Sequence, residues 1–464
     1  MRLPTELAER MRHMLGETEY ERFRFAMEEE EAVRGARLCR KAGTEIKEKL
    51  ITLAQLECVP YGKDCYYAKK PVSGYHPYHM AGALYYQDPG AMCAVAASPL
   101  SVGMRVLDLC AAPGGKSSQI ADLIGESGIL YANEIIPSRA RVLASNLERL
   151  GVRNAAVLNS NAETLGGLYR AYFDLVLVDA PCSGEGMLRK SEEAEREWSE
   201  ENVRACAVRQ DTILSSIASA VKSGGYLVYA TCTFSQEENE GAVLRFLEAH
   251  EDFRTVPASE AVVRVTSAGI VTGDVCARAD FAHMRRFYPH VSRGEGQFVC
   301  VMKRNEDGLK GKENFTSSVR EPTKAEMKIA EDFLRDVLCE MPKDVRVVWQ
   351  SDVLTLLPLG MTVPPVPCLF AGVPLGTLTK GRLVPHHAFF SAYGKNCKRR
   401  LTLSLEDARV SAYLHGETIA CDGVENGYAA VLLDGAPLGG GKAVSGTMKN
   451  HLPKGLRLAS GIKI

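Results

Sequence analysis

The run VLDLCAAPGGKSSQI at 106–120 constrains this chain more than any other stretch. An apolar segment (104–109) enters a turn of small residues at 111–115. A polar run compatible with a helix then opens with Lys116, Ser117 and Ser118. Short apolar runs of this kind are buried parallel strands, and glycine lets the backbone pass where side chains do not fit. In an open α/β sheet, the turn at a strand's carboxyl end is where a nucleotide-like ligand sits. A phosphate-binding P-loop would need glycine where Cys110 stands, and a dinucleotide fingerprint needs three spaced glycines rather than the adjacent Gly114 and Gly115. With both excluded, the remaining candidate is a nucleoside cofactor without a long phosphate tail, and S-adenosylmethionine is the obvious one. A plain strand–turn–helix joint has the same local pattern, so the rest of the chain decides.

Strand and helix alternate beyond this point. Strands are predicted at 104–109, 128–133, 155–158, 175–179 and 226–231, with helices at 116–125, 137–150, 194–221 and 236–249. This order predicts a doubly wound, mostly parallel sheet. Asp108, Glu134 and Asp179 stand at strand ends, and Glu134 has the spacing from the glycine turn that suits a ribose hydroxyl. With 464 residues there is length for two or three domains. Before the sheet, residues 3–31 have helical spacing. A basic cluster follows (Arg34, Arg37, Arg40, Lys41), read as a solvated face or a phosphate contact. Residues 58–90 interleave tyrosines with Lys63, Lys69 and Lys70, a pattern that suits either base stacking or core packing. After a final strand at 297–302, the polar stretch around 305–325 reads as a linker. A helix at 325–341 and short strands broken by Gly and Pro come next. From Lys380 onward, twelve Lys/Arg face six Asp/Glu, dense in KNCKRR (395–400) and KNHLPKGLR (449–457). A small β-rich domain with a basic face suits nucleic acid, and a solvated surface explains the charge equally well.

The 14 cysteines form no metal-type cluster, and a net charge of −1 excludes a uniformly basic surface but not a local basic track. No apolar run reaches the ~18 residues of a membrane span, and the charged amino terminus is unlike a signal peptide. A cytoplasmic location, with no membrane partner and no metal, is therefore expected. In a reducing compartment most of the thiols act as small buried hydrophobes.

Two cysteine-bearing loops follow strands directly: VDAPCSGEGML (178–188) and YATCTFSQEENE (229–240). Strand ends converge on one edge, so Asp179, Cys182 and Cys232 are predicted to face the loop at 110–116. A thiolate, a carboxyl group and a methyl-donor pocket together suit methylation at carbon 5 of a pyrimidine. Thiolate addition to carbon 6 places electron density on carbon 5. A carboxyl group near N3 stabilises or protonates the ring. A base then removes the carbon-5 proton and the cysteine is eliminated.

In LDLCAAPGGKSSQIA, DAPCSGEGMLRK and YATCTFSQEENE, the chain resembles the Sun/RsmF family of RNA cytosine-C5 methyltransferases. SGYHPYHMAGALYYQDPGAM resembles the segment leading into that family's catalytic domain, and RRFYPHVSRGEGQFVCVMKR its closing strand pair. GVPLGTLTKGRLVPHHAF and DGAPLGGGKAVSGTMKNHLPKGLR resemble the extension of the bacterial small-subunit ribosomal RNA branch, which ends in a PUA-like domain. The resemblance implies a Rossmann-like class I methyltransferase at 96–304. Around it lie an α+β RNA-binding region at 1–95, the linker at 305–325, an α+β connecting domain at 326–400 and a PUA-like domain at 401–464. It makes Cys232 the nucleophile and Cys182 the cysteine that helps release the product. Asp179 contacts both the cofactor side and the cytosine, and Lys116 joins the catalytic set. Cys110, Ala111, Ala112, Pro113, Gly114, Gly115 and Lys116 wrap the methionine part of S-adenosylmethionine, with Glu134 at its ribose. Asn161 stands where the family often has Asp near the adenine amino group, and its carbonyl oxygen can accept the same hydrogen bond. The implied partner is small-subunit ribosomal RNA, or the small ribosomal subunit, acted on by a monomer. The alternatives are the same chemistry on transfer RNA, or an RNA-binding assembly factor without turnover.

Overall fold

The computed structural model describes residues 3–190, 196, 198–271 and 277–462. The predicted core strands form at Arg105–Asp108, Ile129–Asn133, Ala155–Leu158, Phe173–Asp179 and Val221–Thr231. Their inner residues, among them Val106, Leu130, Val157, Val176 and Val228, are fully buried. Helices cover both faces of a parallel sheet, so neither face is left polar. Numbered along the chain, these five strands pair in the order 5-4-1-2-3, all parallel. The order reverses between the first and fourth strands, and the crevice beyond that reversal is where an open α/β sheet holds its ligand.

The parallel part is narrower than the sequence reading of a mostly parallel sheet. On one flank Gln297–Arg304 pairs antiparallel with Val221–Thr231, and Met284–Phe287 and Phe253–Val256 pair antiparallel with Gln297–Arg304. On the other flank Cys368–Ala371, from far along the chain, pairs antiparallel with Ala155–Leu158. The predicted helices appear at Gly115–Ile124, Pro137–Arg149, Glu200–Ile217 and Glu240–Ala249. Part of the predicted 194–221 helix, at 194, 195 and 197, lies outside the described residues.

Ahead of the sheet, two helices (Thr5–Leu15 and Glu17–Glu28) and a four-stranded antiparallel sheet form the amino-terminal region. Two sequence readings change here. Tyr61, Tyr66, Tyr67, Tyr78 and Tyr85 are buried, so they pack cores rather than offer rings to bases. Of the basic cluster, Arg37 and Lys41 are also buried. Arg37 donates to Gln87, to the Gly115 carbonyl and to Ser118, and Lys41 donates to the Arg149 carbonyl at 2.9 Å. These two cations hold internal carbonyls and are neither a solvated face nor a phosphate contact.

The polar 305–325 stretch lies against the ten-stranded sheet's core rather than hanging free. Lys312–Glu313 pairs with Tyr169–Arg170, and Phe315 and Val319 pack on the main core. The helix Lys324–Val337 starts with a capping box between Thr323 and Glu326. A four-stranded sheet (Val345–Gln350, Val353–Pro358, Val373–Thr379, Arg382–Pro385) and a five-stranded one built on Gly427–Leu433 and Ala436–Val444 complete the chain.

Candidate active site

The turn after Arg105–Asp108 is held by backbone and amide contacts. Ala111 N–H donates to the Asn133 carbonyl at 2.8 Å, and the Asn133 side-chain amide donates to the carbonyls of Leu109 and Ser160, 2.9 Å each. Asn133 thereby ties the ends of the first three strands together. Gly114 has a φ of +110°, and an added Cβ there would meet Leu143 at 3.1 Å. A Cβ on Gly115 would meet the Tyr85 ring at 3.1 Å. Both glycines face protein, so they form the bend and its packing. Arg139 and Asn146 donate to the carbonyls of Ala112 and Pro113 at 3.2 and 2.9 Å.

A cavity of about 670 Å³ opens at the switch point. Of the residues proposed from sequence, Cys110, Ala112, Glu134, Asn161, Asp179, Cys182 and Cys232 all line it. Ala111, Pro113, Gly114 and Gly115 shape the turn behind, and Lys116 reaches in by donating from Nζ to Asp179 Oδ2 at 2.7 Å. Burial alone would lower the Lys116 pKa, but Asp179 and Cys232 hold it above the ordinary lysine value. Asp179 Oδ1 accepts from Gln297 Nε2 at 3.5 Å. Glu134 is buried, with Oε1 accepting the Ile136 N–H at 3.0 Å. Asn161 caps the helix Ala162–Leu168, its carbonyl oxygen accepting the Thr164 N–H at 2.8 Å. Cys110 has its thiol pushed up by burial and by Asp108, which makes it an inert wall. Asp108 does not reach the ligand side. It is fully buried and accepts from Ser117 Oγ at 2.6 Å, with its carboxyl pushed up to about 7 by burial.

The two cysteine loops meet at the centre, with Cys182 Sγ and Cys232 Sγ 3.2 Å apart. The hydrogen bond to Cys232, reinforced by burial, pushes the Cys182 thiol well above its ordinary value. The two sulfurs share one hydrogen bond, in which either can be the donor. Gly186 N–H donates to the Cys232 carbonyl at 2.9 Å, Phe234 N–H to Glu185 at 2.9 Å, and Ser183 Oγ lies 2.8 Å from Thr233 Oγ1.

Several residues of the site carried no role in the sequence reading. Ile135, Ile136 and Ile213 give the cavity apolar walls, and Arg209 lies at its rim. Ile135 and Ile136, 58% and 45% exposed, were visible only as apolar residues after a strand. Glu185, Gln210 and Glu238 are buried behind the loops, and nothing in their spacing separates them from solvated neighbours. A buried carboxylate at the second strand end, apolar walls and a glycine turn at a helix start suit a nucleoside with a zwitterionic tail, so the cavity fits S-adenosylmethionine.

Comparison with known proteins agrees. Residues 3–89 match the family model for the N-terminal domain of 16S rRNA methyltransferase RsmF, 99–303 that for 16S rRNA methyltransferase RsmB/F, and 400–458 that for the methyltransferase RsmF PUA domain. The chain is 33% identical over 390 residues to ribosomal RNA small subunit methyltransferase F of Vibrio atlanticus, covering 82% of this chain and 80% of that one. It is 31% identical over 396 residues to the protein of the same name from Aeromonas salmonicida, covering 82% and 79%. A methyltransferase homologue from Pyrococcus horikoshii superposes with a TM-score of 0.53 at 26% identity, over 65% of this chain and all of that one. The structure of NSun6 from the same organism has a TM-score of 0.56 at 20% identity, over 66% and 99%, which shows the shared fold. Among the described residues no helix is long and apolar enough to cross a membrane, and no group of three or more His, Cys, Asp or Glu could hold a metal. With all three of its segments matched in order and its relatives covered over most of their length, this chain belongs to the RsmB/F family of 16S rRNA methyltransferases, and within it to the RsmF type.

Proposed function

We propose that this protein methylates carbon 5 of cytosine in 16S ribosomal RNA through a covalent adduct between Cys232 and carbon 6. The observation that carries the reading is the 3.2 Å approach of Cys182 and Cys232 at the cavity that Glu134, Cys110, Ala112 and Asp179 also line, with Lys116 donating to Asp179. S-adenosylmethionine, when bound, supplies the methyl group. Glu134 would accept from its ribose, Cys110 and Ala112 would wall its methionine end, and Asn161 would stand at the adenine rim. Cys232 adds to carbon 6 as its thiolate, and the proton it gives up is carried by Asp179 to N3, so that no charge is left on the ring; the Lys116 ammonium holds Asp179 in place. Once carbon 5 carries the methyl group, its proton leaves to a base and the C6–S bond breaks. With Cys182 as the donor in the sulfur pair, its proton stabilises the Cys232 sulfur as it departs. A base can reach this centre only when flipped out or unpaired.

Support comes from incubation with labelled cofactor and either 16S rRNA, assembling small subunits or transfer RNA. Label should appear on cytosine of the ribosomal RNA and not of transfer RNA. Cys232→Ala should retain less than about 1% of the activity, and full activity in that variant contradicts the mechanism.

A further inference from the structure

Behind the two cysteines lies a carboxylate that touches neither. Glu238 is fully buried, six residues after Cys232, and accepts three hydrogen bonds. Two come from the residue after Cys182: Ser183 N–H at 3.0 Å and Ser183 Oγ at 2.5 Å. The third comes from Gln210 Nε2 at 2.8 Å, and the same Nε2 also donates to the Pro181 carbonyl at 3.0 Å. Glu238 thus grips the residue on one side of Cys182 directly and the residue on the other through Gln210. Its own segment is fixed at the opposite end, because the Tyr229 hydroxyl donates to the Glu238 carbonyl at 2.5 Å from the strand that carries Cys232. All three donors point at the carboxyl group, and burial pushes that carboxyl up to about 7, so above neutral pH it meets them as a carboxylate that only accepts.

We propose that Glu238 is the positioning residue that holds Cys182 against the Cys232 sulfur, and that it governs release of the methylated RNA rather than attack on it. Cys232 sits on the end of its own strand and keeps its place without Glu238. Cys182 sits in a loop rich in Pro and Gly whose register against Cys232 is set from behind. Changing Glu238 to Gln replaces these charge-assisted bonds with weaker neutral ones and forces the Ser183 hydroxyl to turn from donor to acceptor, so the grip on the Cys182 loop loosens. Attack then proceeds while release slows. This inference rests on the assignment of Cys232 to attack and Cys182 to release.

The test compares wild type, Cys182→Ala, Cys232→Ala, Glu238→Gln and Glu238→Asp, each as the full chain. Each is incubated with small-subunit RNA and S-adenosylmethionine and resolved by denaturing electrophoresis, with cofactor affinity and thermal melting measured alongside. Glu238→Gln should accumulate a protein–RNA adduct as Cys182→Ala does, with turnover lowered about tenfold or more and cofactor affinity unchanged. Glu238→Asp, which keeps the charge, should recover part of the turnover. A merely structural role would lower melting and activity without building up adduct, since the adduct requires a folded site. If Cys182→Ala accumulates adduct and folded Glu238→Gln does not, the inference is wrong and the two-cysteine reading stands. If neither accumulates it, the two-cysteine reading fails and takes the inference with it. Should Glu238→Gln not fold, Ser183→Ala removes one donor and keeps the carboxylate. An adduct level between wild type and Cys182→Ala supports the inference, and wild-type behaviour overturns it.

Discussion

At the scale of single residues, Lys116 lies 2.7 Å from Asp179, and in the proposed reaction it holds that carboxylate in place. Lys116→Ala leaves the Asp179 carboxylate without its partner and should lower kcat about 10²-fold, with a smaller change in KM for the cofactor, read by methyl incorporation. Glu148 gives a test unconnected with the reaction. It lies on Pro137–Arg149, beside a small cleft formed with Gly151 and Phe370, and burial pushes its carboxyl up to about 7. A raised carboxyl costs nothing at pH values below the unfolded pKa, and the cost grows as pH rises toward 7 and stays constant above it. Glu148→Gln should therefore raise stability by about 1–2 kcal/mol at pH 8 relative to its effect at pH 4, measured by denaturant unfolding at the two pH values. An equal effect at both removes burial as the cause. Arg37 shows what a sequence hides at this scale. Four basic residues within eight positions look like a surface patch, and nothing in the spacing tells that Arg37 turns inward to hold the first turn of the helix after the cofactor loop.

At the scale of elements, the two cysteine loops behave as one clamp. Gly186 has no room for a side chain, since a Cβ would meet Gly296 at 2.7 Å and the Cys232 carbonyl at 2.9 Å. Gly186→Ala should push the loops apart and lower activity about tenfold or more, with cofactor affinity measured by calorimetry little changed. Loss of cofactor binding in this variant contradicts the separation of the two halves of the site. The amino-terminal helix Thr5–Leu15 reaches the same clamp, because Arg10 pairs with Glu237 at 2.7 Å. The loops themselves were legible in the sequence, since apolar runs ending in Asp179 and Cys232 fix which edge they occupy. The bonds between them were not. A carboxylate in the run EENE has the composition of a solvated turn, and only the tertiary fold buries it.

At the scale of the whole molecule, the regions drawn apart along the sequence share cores. Ala36, Tyr66, Tyr78 and Leu84 pack in one cluster with Leu401, Tyr413, Val431 and Met448, and the Tyr78 hydroxyl donates to Asp434 at 2.5 Å. Met361, Val363 and Ala371 lie in the core of the catalytic sheet. Polarity made 305–325 read as a linker, and Phe315 and Val319 were too sparse a signal to show that it docks. The strand Cys368–Ala371 could not be assigned to the catalytic sheet from sequence, because pairing across some 200 residues leaves no local trace. Truncation at residue 399 should therefore do more than weaken RNA binding. It should lower the melting temperature by about 5 °C or more and increase hydrogen exchange in 35–86, and unchanged exchange there contradicts the shared core. Fold class, the glycine turn and the two cysteine loops are local in the sequence, and the contacts that join its regions are not. The central claim is the Cys232 adduct on cytosine, and the most direct measurement is peptide mapping by mass spectrometry of the protein–RNA complex trapped with Cys182→Ala. A cytosine, methylated at carbon 5, should be found attached at Cys232. Attachment at any other residue, or no attachment, contradicts that claim.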